Sequence, residues 1–154
     1  QHGWQPQQSG YILGALTLTE VVAGFVLSGT IHRFPDRRRP LALVLGLILA
    51  GLISMLILGG EQVWLPTLLL GLGIGALFPL SLIVTLDRAA TPEEAGVLLS
   101  FVQGGGYMIA SLMPLIAGIV RDRVESLNGA WGAMGVGIVV LMLMARRFSP
   151  QIKR

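Results

Sequence analysis

The stretch LALVLGLILAGLISMLILGG occupies Leu41–Gly60, and Ser54 is its only polar side chain. At a rise of ~1.5 Å per residue, about 20 helical residues cover the ~30 Å hydrocarbon core of a bilayer. Backbone polar groups in lipid must bond internally, so an apolar run of this length indicates a helix and not a barrel strand. The stretch therefore predicts a transmembrane helix.

Four further apolar stretches fill most of the remaining chain, and short charged or turn-forming loops separate them. The five predicted spans are residues 10–30, 41–60, 63–86, 96–120 and 129–145. Apolar residues make up 53% of the chain and charged residues only 12%, about half the charged share of a soluble domain. The sequence thus predicts an all-α, polytopic membrane protein with one transmembrane domain over residues 10–145.

The basic residues divide unevenly between the two sets of loops. Residues 31–40, 87–95 and the tail 146–154 hold nine of the eleven, and the other set holds only Arg121 and Arg123. The positive-inside rule assigns the richer set to the cytoplasm, so residues 1–9 are an extracytoplasmic segment and residues 146–154 a cytoplasmic tail. Attraction to lipid headgroups explains these scattered charges better than nucleic-acid binding, which we exclude.

Two spans carry small and polar residues along one side of the helix. A lipid-facing surface gains nothing from such a stripe, whereas small residues allow helices to approach and polar groups bond across the contact or face water. The second and last spans lack a polar stripe and are expected to be outer scaffold. The stripes comprise Gly10, Gly14, Thr17, Glu20, Gly24 and Ser28 in the first span, and Gly96, Ser100, Gln103, Tyr107, Ser111, Pro114 and Gly118 in the fourth.

Glu20 is the only ionisable residue deep inside a predicted span. A charge at the bilayer centre costs at least ~2.5 kcal/mol, so such a residue usually faces a cavity or a partner. The functional interpretation is a proton-carrying or cation-binding site, or a contact to a solute, with Thr17 on the same stripe. The structural interpretation is a protonated carboxyl that joins two helices by a hydrogen bond. We favour the functional one.

Gln103 and Tyr107 lie one turn apart on the stripe of the fourth span. Both can bind a small polar solute, although a hydrogen bond between helices, worth ~0.6 kcal/mol on average, also explains them. Gly104, Gly105 and Gly106 beside them weaken the helix locally, which predicts a hinge.

The third span contains Gly71, Gly73 and Gly75, followed by Phe78 and Pro79. Gly71 and Gly75 have the spacing that allows close helix packing. Pro79 removes a backbone hydrogen bond and is expected to bend the helix. A bent helix that lines a cavity with Phe78 and a helix that is only closely packed fit equally well.

Two short cytoplasmic loops carry the other candidates. Asp36 can pair locally with arginines such as Arg37 or across a conformational gate, unless the charges serve topology alone. Asp87 and Arg88 in the second loop belong to the same candidate gate. The following TPEE at residues 91–94 is a capping box with proline at the first helical position, which predicts a helix start here.

The sequence lacks the residues that an enzymatic or cofactor-dependent function would need. The only histidines, His2 and His32, lie outside the spans, so neither a Ser–His dyad nor a haem site can be built in the membrane. The chain has no cysteine and one intramembrane carboxylate, which excludes thiol catalysis, a metal cluster and an aspartyl pair. We expect a protein that is not an enzyme and holds no cofactor or metal.

Several short sequence elements lie at characteristic spacings along the chain. The main elements are GLGIGALFPL at Gly71–Leu80, SLIVTLD at Ser81–Asp87 and FVQG at Phe101–Gly104. Further elements are Asp36-Arg37-Arg38, Ala95-Gly96 and Arg147-Phe148. Together they resemble the major facilitator superfamily, and within it the branch of bacterial cyanate and 2-nitroimidazole transporters, and the resemblance covers residues 9–150.

This resemblance implies that the spans are helices eight to twelve of a twelve-helix inner-membrane transporter, and that the chain is a C-terminal fragment. Helices eight, ten and eleven approach the central cavity in that fold, and nine and twelve support it from outside, which is the division that polarity gives. Asp36 and Arg37 would lie at the second-half counterpart of the cytoplasmic gating motif. That counterpart is degenerate, because Arg33 stands where an acidic residue is often found.

The function implied is secondary transport of a small polar or anionic organic solute, cyanate-like or similar, by alternating access. Its partners would be the lipid bilayer, the missing N-terminal half and the solute, with protons as a candidate coupling ion. The alternative is a non-transporting scaffold assembled through its small-residue faces. The permease subunit of an ATP-driven importer would need a larger cytoplasmic coupling helix than these loops provide.

Overall fold

The computed structural model describes residues 6–58, 62–123 and 128–147. These residues form five α-helices and no strand, which confirms the predicted all-α class. Residues 1–5 of the predicted extracytoplasmic segment and residues 148–154 of the predicted basic tail lie outside the described residues. The helices are α1 (Pro6–Thr30), α2 (Arg38–Leu58), α3 (Trp64–Leu86), α4 (Pro92–Arg123) and α5 (Asn128–Arg147), and a 3₁₀ turn at Ile31–Arg33 follows α1.

Four helical segments in the described part of the chain are long and apolar enough to cross a membrane. They are Gln7–Arg33, Arg38–Leu58, Trp64–Leu86 and Pro92–Ile116. At ~1.5 Å per residue, each reaches across a ~30 Å hydrocarbon layer. The fifth helix, α5, has 20 residues and covers the last predicted span.

The chain divides into two compact units. The first contains Gln1–Leu80 and Gly135–Arg154, and the second contains Ser81–Met134. In the first unit, the most buried side chains of α2 and α3 are Val44, Leu45, Ile48, Leu52 and Leu80. The predicted scaffold helix α2 therefore supplies much of this core from one side, while its opposite side is exposed.

The glycine run of α3 lets this helix pack closely on two opposite sides within the first unit. Gly73 faces α2: a Cβ there would overlap the Ile48 side chain and lie 3.1 Å from the Val44 carbonyl oxygen. A Cβ at Gly51 of α2 would lie 2.7 Å from Cγ of Leu70. The residue numbers of the contacts increase along α2 while they decrease along α3, so these helices are antiparallel.

Gly71 and Gly75 face α1 instead, because residues four apart lie on the same side of a helix. A Cβ at Gly71 would lie 2.8 Å from Cβ of Thr19 and 3.1 Å from the carbonyl oxygen of Leu16. A Cβ at Gly75 would overlap the backbone of Glu20. The residue numbers of the contacts increase together along both helices, so α1 and α3 run in the same direction.

Candidate functional site

Glu20 lies at the border between the packed face of α1 and its polar stripe. Ala23 and Leu27 are buried on the packed face, and the backbone of Glu20 adjoins Gly75 of α3. At 100° per residue, the stripe around Thr17 is turned roughly 100° away from the centre of this packed face. Glu20 thus combines a closely packed backbone with a half-buried side chain at the edge of an open surface.

The hydroxyl groups of α1 are satisfied within their own helix. Thr17 Oγ1 donates to the Leu13 carbonyl oxygen at 3.0 Å, and Ser28 Oγ donates to the Gly24 carbonyl oxygen at 2.8 Å. Such bonds to the preceding turn let Thr and Ser face any environment. These hydroxyls therefore need no partner helix, and they do not by themselves identify a site.

Glu20 differs, since a carboxylate only accepts hydrogen bonds and cannot use the carbonyls of its own helix. Among the residues that the structure describes, no side chain or backbone group donates a hydrogen bond to its carboxylate. On the N-terminal side of Glu20 the stripe is open, because Cβ atoms built at Gly10 and Gly14 would meet nothing within 4 Å. The exposed Thr17 lies between them and Glu20. This surface can admit water or a small solute to the carboxylate.

On α3, Phe78 follows Gly75 by three residues and so lies near the face that packs on α1. Its ring is 54% exposed. Pro79 lies inside α3, which continues without interruption to Leu86. The structure therefore places Phe78 in the same unit as the contact with Glu20 and near that face of α3.

In the second unit, α4 is continuous through Gly104, Gly105 and Gly106. These glycines are exposed, and added Cβ atoms would meet nothing within 4 Å. Gln103 is half-buried and Tyr107 is 66% exposed. Within the described residues 81–123 and 128–134, neither side chain makes a hydrogen bond, so both keep their full capacity to bind a polar solute.

The loop between α1 and α2 is fixed by local hydrogen bonds. The Asp36 carboxylate accepts a bond from the Arg38 backbone N–H at 3.0 Å and so caps the start of α2. Arg37 Nη1 donates to the carbonyl oxygens of Ile31 and Phe34, each at 2.8 Å. A cation at this point complements the partial negative charge at the end of α1. The structure thus gives both candidate gate residues local partners.

The loop between α3 and α4 contains the second pair of gate candidates. The backbone N–H of Asp87 donates to the Ile83 carbonyl oxygen at 2.8 Å, and that of Arg88 donates to the Thr85 carbonyl oxygen at 3.1 Å. These bonds close the last turn of α3. Asp87 and Arg88 each make a further interaction as well.

The capping box that follows is present. Thr91 Oγ1 accepts a hydrogen bond from the Glu94 backbone N–H at 3.2 Å, and Glu94 Oε2 accepts one from the Ala90 backbone N–H at 2.8 Å. The reciprocal bond reaches one residue earlier than the standard box, which uses the N–H of the capping residue itself. The helix α4 begins at Pro92, as predicted.

Two features were missed by the sequence reasoning. Gly73 had no assigned role, although the alternation of glycines at 71, 73 and 75 puts it on the side opposite the other two. Arg38 was counted only as a loop charge, but its Nε is buried and has no hydrogen-bond partner among the described residues. The helical wheel predicts that Gly73 faces away from Gly71 and Gly75, whereas nothing in the sequence predicts that the Nε atom of Arg38 is buried.

An all-α chain with several membrane-length helices and an intramembrane carboxylate defines a polytopic membrane protein. Among the described residues, no group of three His, Cys, Asp or Glu side chains could hold a metal ion. The chain belongs to the Major Facilitator Superfamily, which it matches over residues 1–153. The predicted family resemblance is thereby confirmed.

The chain is 36% identical over 148 residues to the cyanate transport protein CynX of Escherichia coli (strain K12) and 28% identical over 148 residues to the 2-nitroimidazole transporter of the same strain. It is 25% identical over 127 residues to the uncharacterized transporter YycB of Bacillus subtilis (strain 168). These alignments cover 96%, 96% and 81% of this chain but only 38%, 36% and 31% of the relatives. The chain therefore spans about a third of the length of these relatives. No solved structure matches it.

Proposed function

We propose that the chain is the C-terminal part of a secondary transporter that moves a small polar or anionic organic solute by alternating access. Family membership and the similarity to a cyanate transport protein and a 2-nitroimidazole transporter support this proposal. Its helices act as helices eight to twelve of the whole protein, which has its N-terminal half as partner. The excess of basic residues in one set of loops supports an inner-membrane orientation with the C-terminus in the cytoplasm.

One observation carries the assignment of the site: the Glu20 carboxylate lacks a hydrogen-bond donor among the described residues, although its backbone is closely packed. Burying such a group without a partner is costly, so the residue persists where solute, protons or water reach it. Thr17 and Phe78 contribute to the solute pathway beside it. Gln103 and Tyr107 of α4 are further candidate solute contacts of the whole protein.

The charge of Glu20 makes the binding of an anionic solute depend on the binding of a proton. An anion that binds near an ionised carboxylate is repelled, whereas a protonated carboxyl offers it a hydrogen-bond donor. An anionic solute therefore binds together with a proton, and uptake rises as the pH falls. A neutral polar solute would show a much weaker dependence.

The gate and the hinge belong to the same cycle. Asp36, Arg37, Asp87 and Arg88 exchange their local partners when the cytoplasmic side opens. The glycines at residues 104–106 continue the helix, but nothing packs within 4 Å of the Cβ positions there. They therefore let α4 bend during that step. Pro79 allows α3 to bend in the same way.

Thiol labelling of the natural full-length protein tests whether these residues line a wet pathway. The chain contains no cysteine, so each introduced cysteine is unique within it. Thr17→Cys, Gln103→Cys and Tyr107→Cys should react with a charged, water-soluble reagent, because only a hydrated thiol ionises and reacts. Phe101→Cys is the matched control, since this 80% exposed side chain lies on the opposite side of α4 from Gln103 and should face lipid.

Equal inertness of all four cysteines would contradict the proposal. It would instead favour the alternative, a membrane scaffold in which the polar stripes are closed by packing. Protection of Gln103→Cys by cyanate or by a related small anion would connect the pathway to its solute.

A further inference from the structure

Among the glycines of α1 and α3, Gly75 has the tightest surroundings, and the atoms that surround it belong to the backbone of Glu20. A Cβ at Gly75 would overlap the Glu20 carbonyl oxygen and lie 2.6 Å from its carbonyl carbon. Ordinary contacts of this kind begin near 3.4 Å. Any side chain at residue 75 therefore forces the two helices apart by roughly 1 Å at the level of Glu20, because backbone atoms cannot rotate out of the way.

A second glycine belongs to the same contact from the other side. A Cβ at Gly24, one turn after Glu20 on α1, would lie 3.3 Å from the Gly75 carbonyl oxygen. The backbones of residues 20, 24 and 75 thus meet without intervening side chains. Contacts between backbones have no rotamer freedom, so they fix the position of α1 more tightly than side-chain packing does.

We propose that Gly75 is the positioning residue of the candidate site: it sets how far the Glu20 carboxylate stands from α3 and therefore how accessible it is. This inference rests on the proposed function of Glu20. It concerns a residue with no polar group, which acts on solute and proton binding only through the backbone of Glu20.

Glu20 is the only charged group of α1, and within the described part of residues 1–80 the loop groups His32, Arg33, Asp36 and Arg37 lie beyond the end of this helix. From Trp64 to Leu86, α3 carries no Asp, Glu, Lys, Arg or His, and α2 carries its two arginines only in its first turn. Basic residues of α5 lie only in its last turn. Since these loop groups follow Glu20 by twelve or more residues, a changed pH response that appears with a Gly75 substitution and not with a Gly73 substitution would report on Glu20.

Three glycine-to-alanine variants of the natural full-length protein separate positioning from general packing. Gly75→Ala is the severe change at the Glu20 contact, and Gly24→Ala is the mild change at the same contact. Gly73→Ala is the matched control, because it adds the same methyl group two residues away but pushes on Ile48 of α2. Each variant is made with Glu20 intact and with Glu20→Cys.

The first readout is the pH profile and rate of solute uptake with Glu20 intact, and the second is the alkylation rate of the cysteine at residue 20. We expect Gly75→Ala to lower uptake by about 10- to 100-fold, as roughly 1 Å of misplacement does at other binding sites, and to change its pH profile. Alkylation should become several-fold faster, since the separated helices expose residue 20. Gly24→Ala should shift both readouts less, and Gly73→Ala should leave both unchanged per folded molecule.

Equal effects of Gly75→Ala and Gly73→Ala on the alkylation rate would overturn the inference, because the effect would then be general loosening. If Gly75→Ala does not fold, Gly24→Ala decides: unchanged alkylation and an unchanged pH profile overturn the inference as well. A third result separates the two proposals. Suppose that Gly75→Ala and Gly24→Ala change the alkylation rate, that Gly73→Ala does not, and that Glu20→Gln leaves the pH profile of transport intact. The positioning role of Gly75 then stands, and the proton role of Glu20 is wrong.

Discussion

Replacement of Glu20 by glutamine isolates the charge of the side chain, since the amide has almost the same size and still forms hydrogen bonds. Glu20 is half-buried at a helix crossing, where an effective dielectric constant near 20 is appropriate. A solute anion ~6 Å from the ionised carboxylate is then repelled by about 2.8 kcal/mol, which corresponds to roughly a 100-fold loss of affinity. Protonation or the glutamine substitution removes this repulsion.

The assay is uptake of labelled cyanate by proteoliposomes that contain the full-length protein, at several external pH values and with an imposed proton gradient. Wild-type uptake should rise as the pH falls. With Glu20→Gln, the rate at neutral pH should approach the acid wild-type rate and lose its pH dependence, because residue 20 never becomes negative. The variant should also exchange solute but fail to accumulate it, since no proton is carried at this position.

The control is Glu93→Gln, which removes an exposed carboxylate in the first turn of α4. Its pH profile should match that of the wild type. The reasoning is refuted if Glu20→Gln keeps the wild-type pH profile, or if it still accumulates the anion against a gradient. Either result would leave Glu20 as a structural hydrogen-bonding residue.

Three further predictions concern stability and are measured by thermal unfolding in detergent. Thr91→Ala should destabilise α4 by about 1 kcal/mol through loss of the helix cap, whereas Thr91→Ser should not. Leu80→Ala should cost about 2 kcal/mol, because Leu80 is 0% exposed and leaves a cavity; the 76% exposed Ile57, changed to Ala, should have almost no effect. Arg37→Gln should cost roughly 1.5–3 kcal/mol, since two hydrogen bonds from a cation to carbonyl oxygens are lost.

The all-α class of the chain and the start of α4 could be predicted from the sequence by local rules. The TPEE sequence at residues 91–94 needs only its own neighbours to cap a helix, so the start of α4 at Pro92 was predictable. The all-α class followed equally directly, because bilayer thickness fixes the length of an apolar helix. Both rest on interactions between residues close in sequence or on the solvent.

The packing face of α1 was less predictable. A stripe of small and polar residues predicted a packed side, but in the structure Gly10 and Gly14 of that stripe are open, and the buried residues are Ala23 and Leu27 beside it. The reason is that hydroxyls bonded to their own helix need no partner, whereas an alanine surrounded by aliphatic residues leaves no signal in a polarity pattern. Only the neighbouring helix decides which side of α1 is covered.

The role of Gly73 illustrates the same limit on α3. The helical wheel separates Gly73 from Gly71 and Gly75, but a glycine facing lipid and a glycine facing a helix have the same sequence pattern. The structure distinguishes them, because Ile48 and Val44 of α2 occupy the space that a Cβ would take. Glycines on both sides make α3 the central helix of this packing.

The combination found at Glu20 has a mechanical consequence for alternating access. Transporters of this fold bind solute near the midplane and rock around a fixed site, so the surroundings of the binding groups change while the groups themselves stay in register. Helix association in lipid lacks a hydrophobic driving force and depends on close packing, which the backbone contact of Glu20 with Gly75 provides. The side chain at the edge of that contact stays half-buried and able to exchange partners. A closely packed backbone beside a carboxylate that lacks a donor among the described residues is therefore suited to hold the proposed proton-dependent site in place while its cover changes, and a side chain at residue 75 would disturb that packing first.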